Sequence, residues 1–250
     1  MTNPHDVLTR YAPPGITVPY GTGPDQVVEV FAPHRPAHST IVFFHGGFWR
    51  SEYDRSHVRP LCNALASMYA VVSVEYRRTG DGGGWPHTFD DVSAALRQLD
   101  EVSTQQEIPR RFVLAGHSAG GHLALWAAAR HAESVPIRGV VALAPVADLE
   151  LCHHADLDDG AAEALLGGSP ARFPQRYALT NPMQLDIDVP VTIVHGTSDD
   201  RVPIEMSRRY ALIHGAHLQQ LDDVDHFGLI DPKSAAWPSV TDAMRAMTHR

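Results

Sequence analysis

The run Phe112-Val113-Leu114-Ala115-Gly116-His117-Ser118-Ala119-Gly120-Gly121 sets a serine where an apolar β-type stretch meets an Ala- and Leu-rich helical one. A Gly-x-Ser-x-Gly turn doubles back sharply, and small residues at Gly116 and Gly120 leave room for it. Such a turn presents the hydroxyl at the carboxyl edge of a sheet, before a helix N-terminus that favours developing negative charge. Serine at its own pKa is a poor nucleophile, so the reading requires a base and an acid that orients the base, in the chain order Ser, acid, His. The stretch Val191-Thr192-Ile193-Val194 leads into His195-Gly196-Thr197-Ser198-Asp199-Asp200, which offers two adjacent loop acids. Further on, Leu221-Asp222-Asp223-Val224-Asp225-His226-Phe227-Gly228 puts His226 directly after the last predicted strand. His214 falls on a predicted helix and His217 opens a strand, which are packing or surface positions.

Attack on an acyl carbon also needs backbone N–H groups aimed at the developing oxyanion, from a second loop beside the nucleophile. Ile41-Val42-Phe43-Phe44 followed by His45-Gly46-Gly47-Phe48-Trp49-Arg50 is such a loop, because Gly46 and Gly47 let the backbone approach closely. Ala119 would supply one donor and Gly47 or Phe48 the other. Phe48, Trp49, Tyr53, Trp85 and Phe227 are candidates to line an aryl-binding pocket. His117 and His122 flank the serine as supporting residues, and Trp126 reads as core. His153-His154 with Asp156, Asp158 and Asp159 lacks the helical spacing that converges metal ligands, so no metal is expected. Arg50, Arg77 and Arg78 are candidates to hold a substrate carboxylate, against the ordinary reading of exposed arginines as solvated.

The elements that would position these residues are legible too. Short β-branched runs alternate with helical patterns, the signature of βαβ units and a mostly parallel sheet. Strands are predicted from Gln26 to Phe31, Thr40 to Phe44, Ala70 to Glu75, Arg111 to Ala115, Gly139 to Leu143, Pro190 to Val194 and His217 to Leu221. Phe89, Val92, Leu96 and Leu99 mark one apolar helix face. Further helices are expected near Val58 to Met68, Ser118 to His131, Ile204 to Ile213 and Ser234 to Met247. The first 25 residues read as a lead-in strap. Between Asp148 and Asp188 the rhythm breaks, and a small cap or lid inserted in a single domain spanning residues 1–250 is expected.

Composition bounds the partners. The 250 residues are 44% hydrophobic and 20% charged, a globular profile. With 29 acidic against 20 basic residues the formal net charge is −9, which argues against nucleic acid. Cys62 and Cys152 are too few for a disulfide scaffold and read as small buried hydrophobes. The charge-free span from Phe112 to Ala129 is broken by glycines and histidines, so no membrane helix is expected. The opening residues carry no secretory pattern, and a cytoplasmic location is expected.

Taken together these motifs resemble the α/β-hydrolases, in particular the kynurenine formamidase (arylformamidase)-like branch and its esterase neighbours. His45-Gly46-Gly47-Phe48-Trp49 is similar to that branch's His-Gly-Gly-aromatic-Trp loop, and Gly116 to Leu123 to its nucleophile elbow. His195-Gly196-x-x-Asp199-x-x-Val202-Pro203 resembles the superfamily's acid loop, which implies Asp199 in preference to Asp200. The likeness runs from about residue 26 to 232 and includes Leu166 to Pro170, Tyr177, Asn181-Pro182 and Ile230 to Pro232. Gly82-Gly83-Gly84-Trp85-Pro86-His87 departs from the branch's pattern. The resemblance implies an α/β-hydrolase fold with a Ser118-Asp199-His226 triad, no cofactor, and a small-molecule acyl substrate such as an N-formyl aryl amide. Short-chain carboxylester hydrolysis, an exopeptidase-like amidase and a non-hydrolytic ligand-binding protein are the alternatives. The oligomeric state is open, a homodimer included.

Overall fold

A computed structural model describes residues 6–33 and 35–249. Eight strands form one sheet: β1 (Ile16–Pro19), β2 (Val27–Phe31), β3 (Thr40–Phe44), β4 (Ala70–Val74), β5 (Phe112–His117), β6 (Ile137–Leu143), β7 (Val191–Gly196) and β8 (His217–Leu221), in the order β1-β2-β4-β3-β5-β6-β7-β8. β1 pairs antiparallel with β2 and β2 with β4, while the strands from β4 to β8 run parallel. The helices are α1 (Asp6–Thr9), α2 (Arg59–Leu65), α3 (His87–Gln105), α4 (Ala119–His131), α5 (Leu149–His154), α6 (Ala161–Leu166), α7 (Pro174–Thr180), α8 (Ile204–His214) and α9 (Trp237–Thr248). This is the α/β-hydrolase architecture.

The central strands β3, β4 and β5 are buried at every position and mostly apolar, because both faces of the sheet are covered. Val42 and Phe44 of β3 join Leu96, Leu99 and Leu123 on the α3/α4 face, whereas Ile41 and Phe43 join Leu61, Leu65, Val240 and Met244 on the α2/α9 face. Period-2 alternation thus builds two cores from one strand. The lead-in segment is more structured than a strap: it carries α1 and the edge strand β1. β1 has three exposed residues out of four, and its four residues lie between Pro13-Pro14-Gly15 and Gly21-Thr22-Gly23-Pro24, too short a run to read as a strand.

The segment after β6 carries α5, α6 and α7. Asp148 caps α5, accepting from the N–H groups of Glu150 (3.1 Å) and Leu151 (3.0 Å). The segment is tied to α4 through the Thr180 and Leu179 carbonyls, which accept from His122 Nε2 (3.0 Å), Trp126 Nε1 (3.1 Å) and Arg130 (2.8 Å). Among the described residues no helix is long and apolar enough to cross a membrane.

His122 is fully buried, and burial brings its pKa down to about 4. In an unfolded chain histidine titrates near 6.5, so between about pH 6.5 and 4 unfolding takes up a proton, and stability falls as pH falls. The slope is about 1.4 kcal/mol per pH unit for this one group. Urea unfolding is expected to show wild type losing about 2 kcal/mol more than His122→Gln between neutral pH and about pH 5. Glutamine keeps a donor for Thr180 but cannot titrate; equal slopes in the two proteins would sink the assignment.

Candidate active site

Ser118 lies between β5 and α4 with φ 58° and ψ −120°, a backbone conformation that costs a non-glycine residue of the order of 1–3 kcal/mol. Its surroundings over-determine it. The Ser118 N–H donates to Leu143 O at 2.8 Å, and its carbonyl accepts from His122 N (3.1 Å) and Val146 N (3.2 Å). A Cβ on Gly116 would lie 2.1 Å from Gly120 O, and one on Gly120 would lie 2.0 Å from Phe44 O. Both positions are closed to any side chain. Ala119 follows as the first residue of α4, where the N–H has no intrahelical acceptor.

The loop after β3 passes beside this turn. A Cβ on Gly46 would stand 3.3 Å from Ser118 Cβ, and Gly47, Phe48 and Trp49 all have positive φ (105°, 47° and 59°). The three-residue strain is held from outside. Thr79 donates from its N–H (2.8 Å) and Oγ1 (3.0 Å) to Trp49 O, and Arg50 N donates to Gly47 O at 2.9 Å. At the loop's base His45 is fully buried, with Nδ1 2.8 Å from Gly46 O and Nε2 2.9 Å from Glu75 Oε1. Both nitrogens thus face oxygen atoms. Tyr76 stacks on the ring at 4.4 Å and donates its hydroxyl to His45 O at 2.8 Å. Burial alone would raise the Glu75 carboxyl, but His45, Arg78 and the Arg55 N–H outweigh it and bring its pKa down to about 2.

Beyond β7, Asp199 is held on both oxygens. Oδ1 accepts from the N–H groups of Arg201 and Val202, each at 2.8 Å. Oδ2 accepts from His226 Nδ1 at 2.6 Å and meets His195 Nε2 at 3.2 Å. Burial pushes this carboxyl up, yet the hydrogen bonds from His195 and His226 hold it far below the usual carboxylate range. Its side chain is 1% exposed, whereas that of Asp200 is 80% exposed and meets only Arg201, at 3.9 Å. The structure therefore brings Asp199, not Asp200, to His226. His117 Nε2 donates to the His226 carbonyl at 3.0 Å, which anchors the backbone that carries this imidazole.

Ser118 and His226 line one cavity of about 490 Å³, counting the solvent at its mouth. Gly47, Phe48 and Phe227 form part of its wall, as do Tyr53, His57 and His117. Leu8, Asp158 and Arg201 complete it. Gly46 and Ala119 lie behind this lining. Two aromatic expectations need correction. Trp49 is 0% exposed and stands edge-on to His122 at 5.1 Å, in the core beneath the loop rather than in the cavity. Trp85 packs against Phe89 at 5.6 Å, away from the serine. Trp49 is wholly within the core, and Trp85 is partly buried against it, so the apolar area of both rings is covered by packing and not by the cavity. Leu8 and His57 were missed because neither has a motif around it. From the 148–188 segment only Asp158 reaches the cavity, with Arg50 Nε 2.9 Å from its carboxylate. His153 meets Glu163, and among the described residues no group of three or more His, Cys, Asp or Glu could hold a metal.

Comparison with known proteins places this geometry. The BD-FAE family model matches residues 28–212, which include Ser118 and Asp199. The chain belongs to the BD-FAE family. It is thus an α/β-hydrolase superfamily member, as the sheet also shows. Kynurenine formamidase of Danio rerio is 25% identical over 231 residues, covering 86% of this chain and 75% of that protein. Carboxylesterase NlhH of Mycobacterium tuberculosis is 31% identical over 127 residues, 49% of this chain and 40% of the relative. Among solved structures, a truncated carbohydrate esterase from gut microbiota superposes with a TM-score of 0.79 at 19% identity, over 96% of this chain and 98% of the other. Esterase B of Lactobacillus rhamnosis, solved with an inhibitor, gives 0.76 at 23% identity, over 93% and 85%.

In this BD-FAE member the core position of Trp49 has a direct consequence. Trp49→Ala is expected to cost about 3–5 kcal/mol of unfolding free energy, the range for a fully buried large aromatic. Phe48→Ala, at the cavity wall, is expected to cost clearly less. Denaturant titration of the two variants checks the order.

Proposed function

We propose that the chain is a serine hydrolase of small acyl substrates, cleaving an N-formyl or short-acyl aryl amide or ester. One observation carries the reading: His226 Nδ1 sits 2.6 Å from a buried Asp199 carboxylate, in the same cavity as a serine on a strained strand-to-helix turn. The hydrogen bond from Ser118 Oγ to His226 Nε2 is the link this reading adds. In it, Oγ attacks the acyl carbon while Nε2 takes the hydroxyl proton. Asp199 keeps the other proton on Nδ1, fixing tautomer and ring orientation and stabilising the imidazolium that forms. The oxyanion is met by the Ala119 N–H and by that of Gly47 or Phe48. Collapse of the tetrahedral intermediate expels the amine or alcohol, which takes the proton from His226. Water, activated by the same imidazole, then releases the acid and restores Ser118.

For the substrate, the Danio rerio relative's name favours a formamide and the 31% identical carboxylesterase segment a short ester. The aromatic wall of Phe48, Tyr53 and Phe227 suits a flat leaving group in either case. A series of aryl esters with formyl, acetyl and butyryl groups, set beside an N-formyl aryl amide, separates the two. The formamidase reading expects kcat/KM to fall about tenfold or more per lengthening step, together with amide turnover. A flat profile without amide cleavage assigns a short-chain esterase.

The roles themselves are tested by substitution. Ser118→Ala is expected to lose at least about 10³-fold in turnover while still folding, and a serine-directed phosphonate to add its mass to the Ser118 peptide. Asp199→Asn is expected to lose orders of magnitude, because the amide favours the wrong imidazole tautomer, and Asp200→Asn to be mild. Labelling at another serine, or a crippled Asp200 variant beside an active Asp199 one, contradicts the assignment.

A further inference from the structure

One acceptor that faces the cavity has no donor to pair with. His57 lies in the 3-10 turn Arg55–Val58 and is 6% exposed, yet it lines the same cavity as Ser118 and His226. Its Nδ1 is 2.6 Å from Asp54 O. A carbonyl can only accept, so Nδ1 carries the hydrogen and, in a neutral ring, Nε2 presents a bare lone pair. Burial, and then the nearby His45, lower the His57 pKa to about 4, which keeps the ring neutral at ordinary assay pH. Nε2 has no hydrogen-bond partner among the described residues, and the serine-directed role of His226 Nε2 leaves His57 Nε2 as the acceptor available to the rest of a ligand. His226 holds Asp199, His117 holds the His226 carbonyl, and Asp158 holds Arg50.

The ring is also fixed in place. Arg55 of the same turn donates from its N–H (2.9 Å) and Nη1 (3.2 Å) to Glu75, and from Nε (3.0 Å) to Glu29. Asp54 closes the start of the turn by accepting from Ser56 N at 2.8 Å. The rings of Tyr53 and His45 stand edge-on at 6.2 and 5.6 Å. A preorganised acceptor is left unpaired when a bound ligand displaces water from it and brings no donor of its own.

We propose that His57 Nε2 recognises a hydrogen-bond donor on the substrate's leaving group, so that the enzyme selects acyl compounds whose departing phenol, alcohol or amine carries a further O–H or N–H. The donor falls on the leaving group because the acyl group of the proposed substrates is small. This rests on the serine hydrolase reading and narrows its substrate class.

The test uses two matched pairs: 2-hydroxyphenyl acetate with 2-methoxyphenyl acetate, and 3-hydroxyphenyl acetate with 3-methoxyphenyl acetate. Each kcat/KM is divided by the rate of uncatalysed hydrolysis in the same buffer. Within a pair the hydroxy-to-methoxy ratio does not depend on how much of a preparation is folded. In wild type at least one pair is expected to favour the hydroxy ester by roughly three- to tenfold. His57→Leu is expected to bring that ratio close to one, and His57→Gln, which retains an acceptor near the Nε2 position, to keep part of it. The proposal is overturned if wild type prefers neither hydroxy ester, or if His57→Leu keeps the wild-type ratio; should the leucine variant not fold, the wild-type ratios decide alone. A Ser118→Ala protein that still hydrolyses the esters sinks the hydrolase reading instead. An unchanged ratio with Ser118 phosphonylated removes only His57.

Discussion

The site depends on how closely β5, α4 and the end of β3 approach one another. A Cβ at residue 116 would overlap the carbonyl of residue 120, and one at 120 would overlap the carbonyls of Phe44 and His45. The turn that holds Ser118 in its positive-φ conformation can therefore form only where the residues two before and two after it are glycine. The same contact that forces this conformation presses the start of α4 onto the base of the His45–Trp49 loop. Nucleophile and loop are consequently one packed unit, and neither can shift without opening a void or a clash in the other.

Around that unit, two buried carboxylates organise the rest. Glu75 sits at the carboxyl end of β4 and joins His45, at the base of the loop, to Arg55, in the turn that carries His57. Asp199 does the same beyond β7, joining His226 to His195 and to its own loop's backbone. A buried carboxylate is tolerated only if its lone pairs are met, and both are met several times over. The consequence is directional. Each carboxylate turns its imidazole partner so that one nitrogen is committed, and for His226 this leaves Nε2 as the free nitrogen on the cavity side.

What the sequence disclosed follows the same division. Ser118, Asp199, His226 and the His45–Trp49 loop are readable because each sits at a strand end in a glycine-containing loop, where backbone geometry restricts residue type. The strands β2 to β7 are readable because two covered faces make them rich in β-branched and other apolar residues. The edge strand β1 was not, since a solvent-facing strand held by backbone pairing alone needs no apolar pattern. Nor did residue type say which aromatics face the cavity: Phe48 and Trp49 are adjacent in the same strained loop, yet Phe48 forms the wall and Trp49 the core beneath it. That division is set by tertiary packing, which no spacing rule encodes.

The far wall of the cavity shows how distant segments are made to share a site. Leu8 comes from α1, more than a hundred residues before Ser118. One apolar contact and one ion pair hold it there: Val7 enters the α2/α9 core, while Arg10 meets Asp231 through both of its terminal nitrogens, at 2.5 and 3.0 Å. Asp231 lies five residues past His226, so the pair ties the chain's first helix to the loop that positions the imidazole. The Asp231 carboxyl is drawn below its usual range first by Arg10. Such a half-exposed pair contributes little to global stability. Its effect is local: it keeps α1 against the cavity, so part of the wall is built by a helix too short to fold alone and held by a contact to the segment that follows His226.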